Sequence, residues 1–296
     1  MSAVISRSTS QRGIRASKNL QKSISYVAMV LLSVVFIFPW FYTFTSSFMS
    51  ASELYLFPPK LIPSRLQWEN YSYIFSQVPF TRWLLNSIAV SVLATGGGLL
   101  SATLVAYSFS RFRWHGRDAI FAITLSTMML PAEVTLIPTY LLFRNLGWLN
   151  TTKPLWVPSW FGGGAFSIFL LRQFIMALPR DFDEAATIDG AGPLRILISV
   201  LLPLMKPALA TLGVINLIGA WNDFMGPLIY LTSPDKFTVA LGLRYFQVSG
   251  GGASTGVPTQ HYLMGCCVLA ALPIVILFFC AQKYFVQGIV MSGLKA

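Results

Sequence analysis

Six apolar runs in this chain are long enough to cross a bilayer as helices, for which about 17–25 residues are needed. They lie at roughly 24–48, 84–109, 118–141, 155–175, 208–231 and 263–285 of 296 residues. Residues of hydrophobic type make up 55% of the sequence and charged residues only 10%, where a soluble domain carries about 25% charged. Too little polar surface exists to coat a water-facing globule. The expected fold class is all-α, a polytopic membrane protein with six transmembrane helices, because a spanning helix satisfies its own backbone in lipid. The fourth run is the weakest, interrupted by Pro158 and Gly162 to Gly164.

The basic residues set an expected orientation. Arg7, Arg12, Arg15, Lys18 and Lys22 precede the first run, and no acid occurs before Glu53. With this 1–23 tail inside, the inner side also holds Arg111, Arg113, Arg117, Arg172, Arg180, Arg195, Lys206, Lys283 and Lys295. The outer side holds Lys60, Arg65, Arg82, Arg144, Lys153, Lys236 and Arg244. Lysine and arginine concentrate on the cytoplasmic side of membrane proteins, so both termini are expected there, with 286–296 a cytoplasmic C-terminal tail. The first run is too long for a signal-peptide core and ends in no small-residue cleavage pattern, so it reads as a retained span.

The same residues argue against other classes. The net charge of +11 comes from short clusters between apolar runs, which is an orientation signal and no nucleic-acid face. Cys266, Cys267 and Cys280 sit within one run and His115 and His261 lie apart from them, so no metal site or disulfide framework is expected. No nucleophile–base pair marks an enzyme. No Gly-Lys pair occurs, which removes the phosphate-cradling loop of an ATPase. Gly96 to Gly98 and Gly162 to Gly164 therefore read as close-packing positions between helices.

One inner segment is unlike the rest. PRDFDEAATIDGAGPLRILISVLLPLMKP spans 179–207. Asp181 precedes Glu184 at capping-box spacing, and Asp181, Asp183 and Glu184 complement a helix dipole in a first turn. Gly190 suits the left-handed position that ends a helix, and Pro193 suits the first turn of the next. The expectation is a short helix, a glycine turn and a second short helix re-entering the bilayer up to Pro203. Phe182, Ala185, Ala186 and Asp189 would share one side, available for seating in a groove of another protein. A solvated connector would carry the same pattern.

Within that segment, EAATIDGAGPLRILISVLLP resembles the EAA loop of bacterial ABC importer permeases. Glu184, Ala185, Ala186, Asp189, Gly190, Ala191 and Pro203 match the pattern, while Leu197 and Val200 replace its usual Phe and Ile. AWNDFMGPLIYL (220–231), QKYFVQGIVMSGLK (282–295) and MLPAEVTLIPTYLLFRNLGWLNT (129–151) are similar to the maltose-type carbohydrate permeases, MalG-like subunit. The resemblance covers roughly residues 20–296. It implies that 179–203 is a cytoplasmic coupling loop docking an ATP-binding subunit through the seven matching residues. It implies that ATP and Mg bind on two partner ATPase subunits and no cofactor binds this chain. It implies a second, MalF-like permease, an extracytoplasmic solute-binding protein, and residence in the bacterial inner membrane. The glycine-rich loop 247–260, with Gly250, Gly251, Gly252, Ser254 and Thr255, would reach the binding protein, or be only a linker.

Glu133 and Asp223 fall inside spans, where acids are costly and often functional. Counted along straight helices, both lie about 22 Å from the inner end at 1.5 Å per residue. Together with Trp221 and Asn222 they are expected to line the pathway, where a sugar needs hydrogen bonds and aromatic faces. Glu133 could instead satisfy backbone groups freed by Pro131 and Pro138, and Asn222 and Asp223 could tie helices together. Two functions compete: the permease of an ATP-driven importer of a di- or oligosaccharide, glycerol-3-phosphate or a related polar solute, and a proton-coupled secondary carrier using the two acids. A secondary carrier has no need of the coupling loop.

Overall fold

The computed structural model describes the backbone of residues 2–249 and 259–293, and the side chains of residues 21–248 and 259–282. Among the described residues every regular element is helical. Five helices are long and apolar enough to cross a membrane: Gln21–Ser46, Phe80–Arg111, Lys153–Ala177, Pro193–Asn222 and Gln260–Gln282. A sixth span exists only if Arg117–Met129 and Ala132–Asn145 are taken together, and that pair is bent by 101°. The third expected span is therefore not a straight helix. Leu130 is extended, with ψ 120°, because the ring of Pro131 disfavours a helical residue before it.

The chain divides into two units. The first holds residues 1–71 and 258–268. Its helix α1 (Ser2–Ser46) begins within the basic stretch and runs on without a break. The apolar side chains from Ile24 to Phe38 are exposed, as befits a helix whose surroundings are lipid or a neighbouring chain. Helix α2 (Ala51–Leu54) starts with a complete capping box between Ser50 and Glu53. Asn70 ties the following loop down, its Nδ2 donating to the carbonyls of Ser47 and Met49 at 2.9 and 3.0 Å. Hydrogen bonds from Ser64, and then from the Ser50 backbone and Lys60, hold the Glu53 carboxyl at about 2, below the usual carboxylate range. Helix α3 (Glu69–Gln77) follows.

The second unit, 72–257 with 269–296, is organised around α4 (Phe80–Arg111). After it come α5 (Arg117–Ser126), α6 (Ala132–Asn145), α7 (Lys153–Trp156) and α8 (Ala165–Ala177). Ala102 and Ala106 of α4 and Leu171 and Ile175 of α8 are fully buried in one core cluster. Of the two glycine triplets, Gly97, Gly98 and Gly163 make the expected contacts, whereas a Cβ on Gly96, Gly162 or Gly164 would meet nothing within 4 Å. A Cβ on Gly163 would strike the Gly98 carbonyl, and one on Gly97 the Trp160 indole. Gly162, Gly163 and Gly164 all take positive φ, which also breaks the fourth span into α7, a 3₁₀ turn and α8. Two side-chain bonds reinforce the crossing: Ser101 Oγ to Ser159 O at 3.1 Å and Trp160 Nε1 to Leu93 O at 3.1 Å.

Beyond α8 lie α9 (Asp181–Ile188), α10 (Pro193–Ile196), a π turn over Leu197–Leu201, and α11 (Leu202–Asn222). The fifth expected span, 208–231, is displaced: the apolar helix begins at Pro193 and ends at Asn222. Pro203 does not stop it. The Leu202 N–H bonds back to Leu197 O, five residues earlier, and this wider turn makes room for a proline ring that would clash with the carbonyl four residues before it. Helix α12 (Met225–Tyr230), α13 (Val239–Ser249) and α14 (Gln260–Gly293) complete the order. Helix α14 passes the expected end of the sixth span and continues through the stretch read as a tail.

The segment between α12 and α13 is fastened to its own chain throughout. Trp83 Nε1 donates to Pro234 O at 2.7 Å, and Asn86 Nδ2 to Asp235 O and Phe237 O at 3.0 Å. Ser87 Oγ accepts from Val239 N at 2.8 Å. Asn150, held at φ 55°, accepts from Thr232 N and Ser233 N through Oδ1 and donates to Ser233 Oγ at 2.8 Å.

Candidate functional site: the α9 segment and the helix breaks

The short helix, the glycine turn and the proline start all occur within 181–193. Asp181, Asp183 and Glu184 occupy the first turn of α9, where the unpaired N–H groups favour anions. The end of α9 is a Schellman motif. Gly190 N donates to Thr187 O at 3.0 Å and Ala191 N to Ala186 O at 2.9 Å, with Gly190 at φ 78°. Pro193 opens α10 with Gly192 as its extended cap. The capping box does not form: Arg180 is the N-cap and makes no side-chain cap bond. Its carbonyl takes the Asp183 and Glu184 N–H groups at 2.8 and 3.0 Å, which places Asp181 inside the helix.

Asp183 has a different partner. Its Oδ2 lies 2.9 Å from Arg111 Nη2, with the two side chains 19% and 7% exposed. The contact is a charge pair more than a well-directed hydrogen bond, since Asp183 Oδ2 and Arg111 Nε have no hydrogen-bond partner. Arg111 Nη2 also donates to Leu178 O at 3.2 Å. One turn earlier on α4, the Tyr107 hydroxyl donates to Pro193 O at 3.0 Å. A cavity of about 410 Å³, lined by Tyr107, Arg111, Asp183, Glu184, Thr187 and Pro193 among others, lies at this junction.

The two alanines of the motif part company. Ala186 and Ala191 pack against the core cluster, while Ala185 is exposed with Glu184, Asp189 and Gly190. The expected common side of Phe182, Ala185, Ala186 and Asp189 is corrected accordingly: Ala186 is the inward anchor. Asp181, Ala185 and Ile188, spaced i, i+4, i+7, share the outward side. Ile188 is 87% exposed and Phe182 44%. Pro203 lies beyond the loop, just after the π turn. Sequence reading counted Arg111 only as one cation among many. Its signals, a last-turn arginine four residues after a tyrosine, name no partner.

The four residues expected to line the pathway sit at helix breaks. Glu133 is exposed in the first turn of α6, just after the 101° bend, so the depth counted for it along a straight helix does not hold. Trp221 is buried in the last turn of α11, while Asn222 is exposed. Asp223 ends α11, and its Oδ1 accepts from Gly226 N at 3.2 Å. A Cβ on Gly226 would meet that same carboxylate, with Oδ2 at 2.5 Å. Asp223 thus makes a local bond across the break that follows α11. Gly250, Gly251, Gly252, Ser254 and Thr255 lie outside the described residues. Among those described, no cluster of three His, Cys, Asp or Glu could hold a metal ion.

Residues 94–291 match the family described as "Binding-protein-dependent transport system inner membrane component". The chain is 32% identical over 274 residues to the sn-glycerol-3-phosphate transport system permease protein UgpE of Yersinia pestis bv. Antiqua (strain Antiqua), covering 90% of this chain and 95% of that one. It is 30% identical over 272 residues to the arabinooligosaccharides transport system permease protein AraQ of Halalkalibacterium halodurans, covering 91% and 95%. Its fold matches a chain in the crystal structure of a bacterial ABC transporter involved in import of the acidic polysaccharide alginate, with a TM-score of 0.78, 26% identity, and coverage of 91% and 98%.

Proposed function

Because this chain belongs to the family of binding-protein-dependent transport system inner membrane components, we propose that α9 is the element through which it takes up the motion of a separate ATPase. The chain itself is a multi-pass, non-catalytic permease subunit. The assembly it serves comprises a second homologous permease, two ATPase subunits that bind ATP and Mg, and a solute-binding protein on the outer side. In this reading α9 and both termini face the cytoplasm.

The observation that carries the proposal is the outward side of α9. An eight-residue helix is marginal unless it packs, and this one is packed on one side only. Ala186 and Asp183 hold it to its own chain, while Phe182, Ala185 and Ile188 stand exposed. Three acids mark its start, so the groove that receives it should be apolar in its floor and basic at its rim. A proton-coupled carrier would leave that side without a purpose.

The solute we propose is a di- or oligosaccharide. Exposed Glu133 and Asn222 bring acceptors and a donor to the breaks in α6 and α11, with no cation beside them in the sequence. Such a lining suits neutral hydroxyls better than a phosphate. The glycerol-3-phosphate relative supports a phosphorylated polyol as the second reading. Titrating the purified cognate binding protein with arabinooligosaccharides and with glycerol-3-phosphate separates the two.

Docking is tested by purification of the complete complex. Glu184→Lys reverses a charge on the exposed first turn of α9. The variant should reach the membrane at normal levels and lose ATPase subunits during purification. A Glu184→Lys complex as well populated with ATPase as the wild type would remove α9 from its assigned role.

A further inference from the structure

We propose that Arg111 and Tyr107 are positioning residues that fasten the α9 segment to α4, so that displacement of α9 is carried directly into α4. The inference rests on the docking role of α9 and adds a route that chain connectivity alone does not supply.

The covalent links to α9 are both bent. Leu178, which ends α8, is extended at ψ 134°, and Gly190 is left-handed. Neither transmits a push as a continuous helix would. Contacts made across 67 to 86 residues of sequence supply what the links lack. Arg111 holds Leu178 O on the near flank and Asp183 in the first turn, and Tyr107 holds Pro193 O on the far flank. All three attachments leave the last two turns of α4, and the Arg111 side chain is 7% exposed. A charge pair so shielded from water is weakened little by salt. A cavity adjoins these polar contacts, which add directed links to α4 beside the packing of Ala186 and Ala191 on the core cluster. Helix α4 runs 32 residues, about 48 Å at 1.5 Å per residue. A movement received at Arg111 therefore reaches the far end at Phe80.

The test uses the complete complex in proteoliposomes, with Mg-ATP and the cognate binding protein as isolated. The readout is the ratio of ATP hydrolysis with binding protein to hydrolysis without it. Arg111→Met, which retains the apolar stem, should keep its ATPase subunits yet lose most of the stimulation, the ratio falling toward 1. Arg111→Lys should regain much of it, because an ammonium can restore the charge pair with Asp183. Tyr107→Phe should lower the ratio less, by about half. A residue that only stabilised the fold would change the amount of complex and leave the ratio alone. An assembled Arg111→Met complex with wild-type stimulation overturns the proposal. Should Arg111→Met fail to assemble, Asp183→Asn reads the same contact, and wild-type stimulation there overturns it equally. The docking role fails separately, if Glu184→Lys keeps its ATPase subunits in the same preparation.

Discussion

Two short segments are pinned to opposite ends of α4, and they are finished very differently. At the Phe80 end, the stretch from α12 to α13 receives hydrogen bonds from Trp83, Asn86 and Asn150. Leu231, Phe237 and Val239 there are buried. At the Arg111 end, α9 is held by one charge pair, by carbonyl contacts on its flanks and by the packing of Ala186 on the core, and its apolar outward side is bare. The first segment is complete within this chain, so changes there should act on the chain's own stability. Under the docking proposal the second is completed by a partner, so changes there should act on assembly.

The largest effect expected is that of Gly190→Pro. Proline holds φ near −65° and has no N–H, whereas Gly190 needs φ 78° and donates to Thr187 O. The end of α9 should unravel at a cost of about 3 kcal/mol or more. Gel filtration should find the permease free of its ATPase, with membrane insertion unchanged. An assembled Gly190→Pro complex would break the contrast.

Asn150→Ala ranks next. It removes acceptors for Thr232 and Ser233 N–H and a donor to Ser233 Oγ, and leaving such groups unpaired costs about 1–3 kcal/mol. Thermal denaturation in detergent should show the loss, while ATPase attachment stays normal. Glu184→Lys should do the reverse. Its effect on the permease alone should stay within about 0.5 kcal/mol, as for an exposed site. Its effect on attachment should be about tenfold, or ~1.4 kcal/mol. If both variants changed both readouts, the division between a self-complete and a partner-dependent segment would be wrong.

The smallest effect is expected at Glu53, in the other unit. Its folded pKa of about 2 lies below the ordinary glutamate value of 4.5. Its contribution is therefore fully present above about 4.5 and is lost progressively as pH falls from there through about 2. Stability attributable to this loop, read as the wild-type difference from Glu53→Gln, should be flat from pH 7 to pH 5 and fall from pH 5 to pH 3. A difference that stayed flat from pH 5 to pH 3 would mean that the Ser64, Ser50 and Lys60 contacts do not hold.

What could be read in advance follows from the range of the interactions. Apolar length marks spans because lipid imposes it on each helix separately. Gly190 and Pro193 were legible because left-handed φ and a missing N–H are local requirements. The glycine triplets announced close packing but did not name each other, since nothing in Gly97 specifies Trp160. Long-range pairing was invisible: Arg111 and Asp183 meet only because α4 and α9 fold together. Local spacing had suggested Asp181 as the cap, but Arg180 takes that position and Asp181 lies inside the helix. Periodicity placed Ala185 and Ala186 on one side of α9, but it could not say that the core would take Ala186. The bend at Pro131 and the π turn before Pro203 show one residue type breaking one helix and being absorbed by another. The difference lies in whether the preceding turn widens to admit the ring.

The central claim is that the outward side of α9 is covered by a separate ATPase subunit. Hydrogen–deuterium exchange over 181–191, compared between the complete complex and the same complex stripped of ATPase, measures this directly. The account predicts that amides from Asp183 to Ala191 exchange markedly more slowly in the complete complex. Equal exchange in the two preparations, with the ATPase shown to be bound, would contradict it.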